Sequence, residues 1–215
     1  MPAQAERLAI LYRRLYKHFG PQDWWPGETA FEVVVGAILT QNTNWKNVEK
    51  AISNLKQAGL LNLPAMLALP REVLAEYSRP AGYYNIKAGR LRNLLILIAE
   101  QHNGSLEALF SLPLDELRRQ LLAVKGIGPE TADSIILYAA AQPIFVVDTY
   151  THRILLRHDL IDEDTDYHSL QELFMDSFPP DVDQYGEFHA LLVRTGNQFC
   201  KKTNPRCDIC PLQGV

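Results

Sequence analysis

Apolar residues recur along this 215-residue chain at the spacing of a helix, and almost nowhere do they alternate as in a strand. Leu8, Leu11, Tyr12, Leu15 and Phe19 make one such stripe. Comparable stripes predict helices over 3–19, 29–39, 45–55, 64–69, 71–77, 86–101, 105–110, 114–123, 129–140, 149–157, 168–177 and 183–196. One short run, "PIFVVD", is strand-like. The expected fold class is therefore all-α. A chain that is 47% hydrophobic and 21% charged has the make-up of an ordinary globular protein with a sizeable core. It offers no apolar run long enough for a membrane-spanning helix. "MPAQAERLAILYRR" lacks the apolar stretch of a signal peptide, so a cytoplasmic protein is expected.

The most informative break between helices is "VKGIGPE". Leu114, Leu117, Leu121 and Leu122 line one helical face before it, and Thr131, Ile135 and Ile136 carry the helix after it. Gly126 and Gly128 give the backbone freedom and bare amides. Pro129 suits a first helical position, where its missing N–H costs nothing. Amides of such a hairpin, and of the helix that follows, can hold a phosphate oxygen without reading sequence. Lys125 and Thr131 would join Gly126 and Gly128 in that contact. A plain turn between two helices is the alternative reading of the glycines. Twenty residues beyond Gly128 stands Asp148, a lone carboxylate after an apolar run.

Net charge is −4, which by itself disfavours a polyanionic partner. The acids are concentrated, however: His158 to Val193 holds ten acidic residues and neither Lys nor Arg, leaving a basic surplus elsewhere. The three cysteines, Cys200, Cys207 and Cys210, fall within eleven residues. Three thiols so close together, in a chain with no export signal, read as a metal site rather than a disulfide framework.

"LLAVKGIGPETADSI…VVDTYTHR", with "VVVGAILTQNTNWKNVEKAI" before it and "FCKKTNPRCDIC" after it, resembles the helix–hairpin–helix DNA glycosylases, the endonuclease III superfamily. The resemblance covers nearly the whole chain. It implies a six-helix barrel with the hairpin at 28–141. A second helical domain would come from both chain ends, 1–27 and 142–215, with the catalytic Asp and a C-terminal cluster loop. It implies a monomer acting in base excision repair on double-stranded DNA that contains damaged bases, in a bacterial or archaeal nucleoid. Asp148 matches the family's catalytic carboxylate, which stabilises positive charge on the sugar as the glycosidic bond breaks. The same residue could simply cap a helix at Thr149. Members that also cut the strand carry a Lys where this chain has Glu130; Glu cannot form a Schiff base, so lyase activity is not expected.

"DWWP", "LTQNTNW" and "AGYYNIKAGR" are similar to the bacterial 3-methyladenine DNA glycosylases within that superfamily. By this resemblance Trp24, Trp25, Pro26 and Trp45 would line the pocket for a flipped base, and indole stacks well on a cationic purine. The tryptophans could instead be core. Asn42, with Gln41, falls where the family places the side chain that fills the gap left by the flipped nucleotide, although an Asn there could equally form a turn. The cysteine spacing C-x6-C-x2-C is that of the family's [4Fe–4S] loop, whose fourth ligand would follow Val215. Removal of oxidised pyrimidines, and a non-catalytic damage-binding module, are the alternative functions.

Overall fold

The computed structural model describes residues 4–215, and among them there are twelve α-helices and no strand. Residue 3, where the sequence pattern starts the first helix, lies outside the described residues. The all-α expectation holds. Among the described residues no helix is long and apolar enough to cross a membrane.

The chain divides into two compact units. Pro26–Gln142 forms one, with α2 (Ala30–Leu39), α3 (Trp45–Gln57), α4 (Leu63–Ala68), α5 (Arg71–Ser78), α6 (Tyr84–Gln101), α7 (Leu106–Phe110), α8 (Leu114–Ala123) and α9 (Pro129–Tyr138). Side chains of Thr29, Asn44, Asn62 and Ser105 cap four of these helices by accepting the amide three residues on. Two helices are buried almost all round. From Glu32 to Leu39 every residue of α2 is buried, and so is every residue of α9 from Thr131 to Leu137. Such helices form the centre of a unit rather than its surface. Their buried acids are paired: Glu32 with Lys56 at 2.9 Å, and Asp133 with Arg118 at 2.7 Å. The packing of α2 and α8 against α9 places the hairpin beside the C-terminal end of α2.

The described part of Met1–Trp25, with Pro143–Val215, forms the other unit. It holds α1 (Gln4–Phe19), α10 (Thr149–Arg157), α11 (Tyr167–Ser177) and α12 (Val182–Gln198). Leu8, Leu11 and Leu15 on α1 meet a core built around Phe145, Phe174 and Phe188, where the Phe145 and Phe174 rings stack at 3.8 Å. The "PIFVVD" run is extended but joins no sheet, and side chains serve its backbone instead. The Gln171 amide donates to the Phe145 carbonyl at 2.6 Å, and the Val147 amide donates to the Tyr167 hydroxyl at 3.4 Å. Gly196 lets α12 cross α10 closely: a Cβ there would fall 2.2 Å from Tyr150 Cδ1.

Candidate active site

The hairpin forms as its glycines require. Val124 leaves α8 in extended conformation, Gly126 takes φ +99°, and Gly128 precedes Pro129 with no side chain to cap α9. Ile127 anchors the turn in the core, while Lys125, Gly126 and Gly128 are exposed. Thr131 is buried, and its hydroxyl accepts a hydrogen bond from Gln41 Nε2 at 2.9 Å. The same Gln41 nitrogen donates to the Gly126 carbonyl at 3.1 Å. Gln41 thus faces the hairpin. Its neighbour Asn42 is exposed and left-handed at φ +53°, a conformation Asn tolerates better than most residues. The two amides that the sequence offered together are separated by the fold.

A second left-handed residue, Tyr83 at φ +47°, precedes α6 and is 69% exposed. Lys87 connects the two sites. This lysine is fully buried, and its ammonium donates to the Leu39 carbonyl at 2.8 Å and the Ala81 carbonyl at 2.7 Å. The loops carrying Asn42 and Tyr83 therefore spring from one fixed point. Burial, with Arg90 close by, pushes the Lys87 pKa down to about 8. Sequence reasoning missed Tyr83 and Lys87. "YYNIK" shows aromatic residues beside a lysine, but not which of them is outside.

In the other unit, Asp148 stands at the N-terminus of α10 with its side chain only 10% exposed. One carboxylate oxygen accepts from the Thr151 amide at 2.7 Å and the Thr151 hydroxyl at 2.9 Å. The other oxygen lies 3.6 Å from His189 Nε2 on α12. Burial works to raise this carboxyl's pKa, but His189 and the Thr151 bonds outweigh it and hold the pKa below the usual carboxylate range. Capping and a charged, sequestered carboxylate coexist in one residue. His189 was not legible in the sequence, because a lone histidine within an apolar helix is usually core.

Trp24 and Trp25 are half-buried, with their rings edge to face at 6.0 Å, and Pro26 after them is exposed. Trp45 opens α3 and is also half-buried. None of the three indoles belongs to the fully buried core. Glu130 is exposed in the first turn of α9.

Cys200, Cys207 and Cys210 line one cavity of about 300 Å³, together with Arg157, His158 and Val215 among others. Arg157 Nη1 donates to Cys200 Sγ at 3.3 Å. Burial pushes the Cys210 thiol up, and the neighbouring sulfurs add to that. Among the described residues no group of three His, Cys, Asp or Glu side chains is gathered as a single metal ion would need. The three sulfurs and the Arg157 guanidinium share that cavity.

The HhH-GPD model, described as the superfamily of base excision DNA repair proteins, matches residues 35–180. This chain belongs to that superfamily. A Methanocaldococcus jannaschii protein whose name assigns it to the DNA repair glycosylases is 46% identical over 97% of this chain and 94% of its own length. Among solved structures, the H. pylori 3-methyladenine DNA glycosylase bound to 1,N6-ethenoadenine superposes with a TM-score of 0.76 at 33% identity, over 92% of this chain and 98% of that one. Endonuclease III trapped as a covalent DNA intermediate superposes with a TM-score of 0.83 at 22% identity, over 99% and 94% of the two chains, a likeness of fold. The "VKGIGPE" turn between α8 and α9 lies within the residues that the HhH-GPD model matches.

Proposed function

We propose that this protein is a monofunctional DNA glycosylase that releases alkylated purines, such as 3-methyladenine, from double-stranded DNA. The observation that carries the reading is Asp148: a carboxylate only 10% exposed and kept ionised by His189 and Thr151, in a family of base-excision proteins. Breaking the C1′–N bond sends its electron pair to the base and leaves positive charge on the sugar. A fixed carboxylate in a dry site stabilises that charge far better than water does. A cationic methylated purine departs as a neutral base, so no acid is needed to protonate it. Water then adds to C1′ and gives up a proton, leaving an abasic site and an intact strand. Glu130, where a Schiff-base lysine would be needed, supports hydrolysis without strand cleavage.

The lesion class rests on the half-buried Trp24, Trp25 and Trp45 with Pro26, and on the similarity to the 3-methyladenine enzyme. Indole faces favour a cationic base over a neutral one. Lys125, Gly126, Gly128 and Thr131 serve the phosphate grip. Asn42 and Tyr83, exposed on loops tied by Lys87, enter the stack as the nucleotide leaves it. Cys200, Cys207 and Cys210 would hold a [4Fe–4S] cluster, which when bound fixes the loop that carries the exposed Lys201, Lys202 and Arg206.

The test uses purified protein on duplex DNA treated with a methylating agent, with released bases identified by mass spectrometry and strands resolved with and without alkali. Free 3-methyladenine, with breaks only after alkali, is the expected result. Release of an oxidised pyrimidine from a parallel duplex, or breaks without alkali, would replace this reading with the endonuclease III type.

A further inference from the structure

Three polar residues of α6 stand three apart on one stripe, and each takes hold of a different piece of the DNA-facing apparatus. Lys87 donates to the Leu39 carbonyl, where α2 ends and the loop of Asn42 begins. Arg90 Nη1 donates to Gln41 Oε1, next to Asn42. Asn93 Nδ2 donates to the Lys125 carbonyl in the hairpin, at 2.9 Å. Gln41 closes the bracket by donating to the Gly126 carbonyl and to Thr131 Oγ1. The fit is tight as well as polar: a Cβ on Gly126 would lie 2.4 Å from Arg90 Cγ.

Two physical consequences follow. A trans peptide points its carbonyl and the next N–H in opposite directions. Anchoring the Lys125 carbonyl on Asn93 therefore turns the Gly126 N–H away from α6, toward the exposed side where a phosphate would bind. Secondly, the hairpin and the Asn42 loop cannot move independently. With both ends of the Gln41 amide engaged, a displacement of either loop breaks at least one charge-assisted or amide hydrogen bond.

We infer that Lys87, Arg90 and Asn93, acting through Gln41, form a spine that converts the phosphate grip of the hairpin into a fixed placement of Asn42 against the base stack. Arg90 and Gln41 are positioning residues for nucleotide extrusion. They act neither on the glycosidic bond nor on overall DNA affinity. Gln41 therefore works from behind the interface, and Asn42 is the amide that enters the duplex. This inference rests on the glycosylase reading above only for its chemical readout.

The test compares wild type with Gln41→Ala, Arg90→Ala and the conservative Arg90→Lys, all checked for an unchanged thermal midpoint. Three quantities are read: affinity for undamaged duplex, fluorescence of 2-aminopurine beside the lesion as a measure of extrusion, and the single-turnover rate of base release. Both alanine variants should lose the fluorescence change and slow release by at least about tenfold, since misplacement by about 1 Å can cost up to about a hundredfold. Undamaged-duplex affinity should stay at the wild-type value. Arg90→Lys, which can still donate to Gln41, should recover part of both signals. Placing the lesion opposite a mismatch, where extrusion is already easy, should restore release to Gln41→Ala but not to Asp148→Asn. The double variant should be no worse than either single one. Equal loss of affinity for undamaged duplex would overturn the spine and leave a plain hairpin brace, and wild-type extrusion in both alanine variants would overturn it outright. If wild type releases no base from any duplex, the glycosylase reading fails, while the fluorescence arm still decides the spine.

Discussion

Two helix N-termini of the same unit start almost identically. Asp148 accepts the Thr151 amide at 2.7 Å to open α10, and Asp166 accepts the Ser169 amide at 2.8 Å to open α11. Both carboxyls are held below their ordinary range. The causes differ. At Asp166, which is exposed, hydrogen bonding within its own first turn accounts for the shift. At Asp148 burial opposes ionisation, and His189 from another helix is needed to overcome it. One aspartate is a cap and nothing more. The other is a cap whose second oxygen is kept charged, away from water, at the expense of a buried histidine contact. Local geometry does not separate them; what converges on the second oxygen does.

The comparison breaks if Asp148→Asn and Asp166→Asn behave alike. Asn caps a helix nearly as well as Asp, so both variants should keep thermal midpoints near wild type. Base release should fall by about 100- to 1,000-fold in Asp148→Asn, the scale of losing one preorganised electrostatic partner of the transition state. It should be unchanged in Asp166→Asn.

Lys87 extends the contrast to the other unit, as a buried charge that serves structure. Lys87→Met leaves the Leu39 and Ala81 carbonyls without their donor, at a cost of about 1–3 kcal/mol measured by denaturant unfolding. Its lowered pKa, about 8 against an ordinary 10.5, means that the unfolded chain binds more protons between those values. This group therefore makes stability rise with pH across that window, and Lys87→Met should remove that contribution from the slope.

His189→Leu sharpens the account of Asp148. The folded carboxyl is depressed, so its contribution to stability is present above the unfolded value and is lost only as pH falls through the lower folded value. Removing His189 leaves burial opposed by Thr151 alone. The acid limb of the pH–rate profile for base release should then move to higher pH. An unmoved limb would assign the low pKa to the cap. The smallest effect expected is a slight fall in thermal midpoint for Asp166→Ala, with release unchanged.

The helices were legible because their apolar stripes are long and uninterrupted, and the hairpin because a glycine suits the positive φ at 126 and Pro129 opens the helix after it. The "PIFVVD" run was strand-like in pattern alone. Its apolar residues signal burial, but nothing in the run shows that Gln171 and Tyr167 would serve its backbone. Asp148 could be marked by its setting, whereas His189 lies 41 positions further on in another helix and carries no local signal. Gln41 and Asn42 looked equivalent in the sequence. A left-handed backbone at Asn42 turns one outward while the hairpin takes the other, and that division depends on Arg90, nearly fifty residues away.

The central claim is that the Asp148 carboxylate, beyond its cap, drives base release. The direct measurement is the single-turnover rate of 3-methyladenine release from methylated duplex by wild type, Asp148→Asn and Asp166→Asn, with duplex affinity measured alongside. The account predicts a collapse of the rate in Asp148→Asn alone, at unchanged affinity and thermal midpoint. A wild-type rate in Asp148→Asn would contradict it and reduce Asp148 to the role that Asp166 already fills.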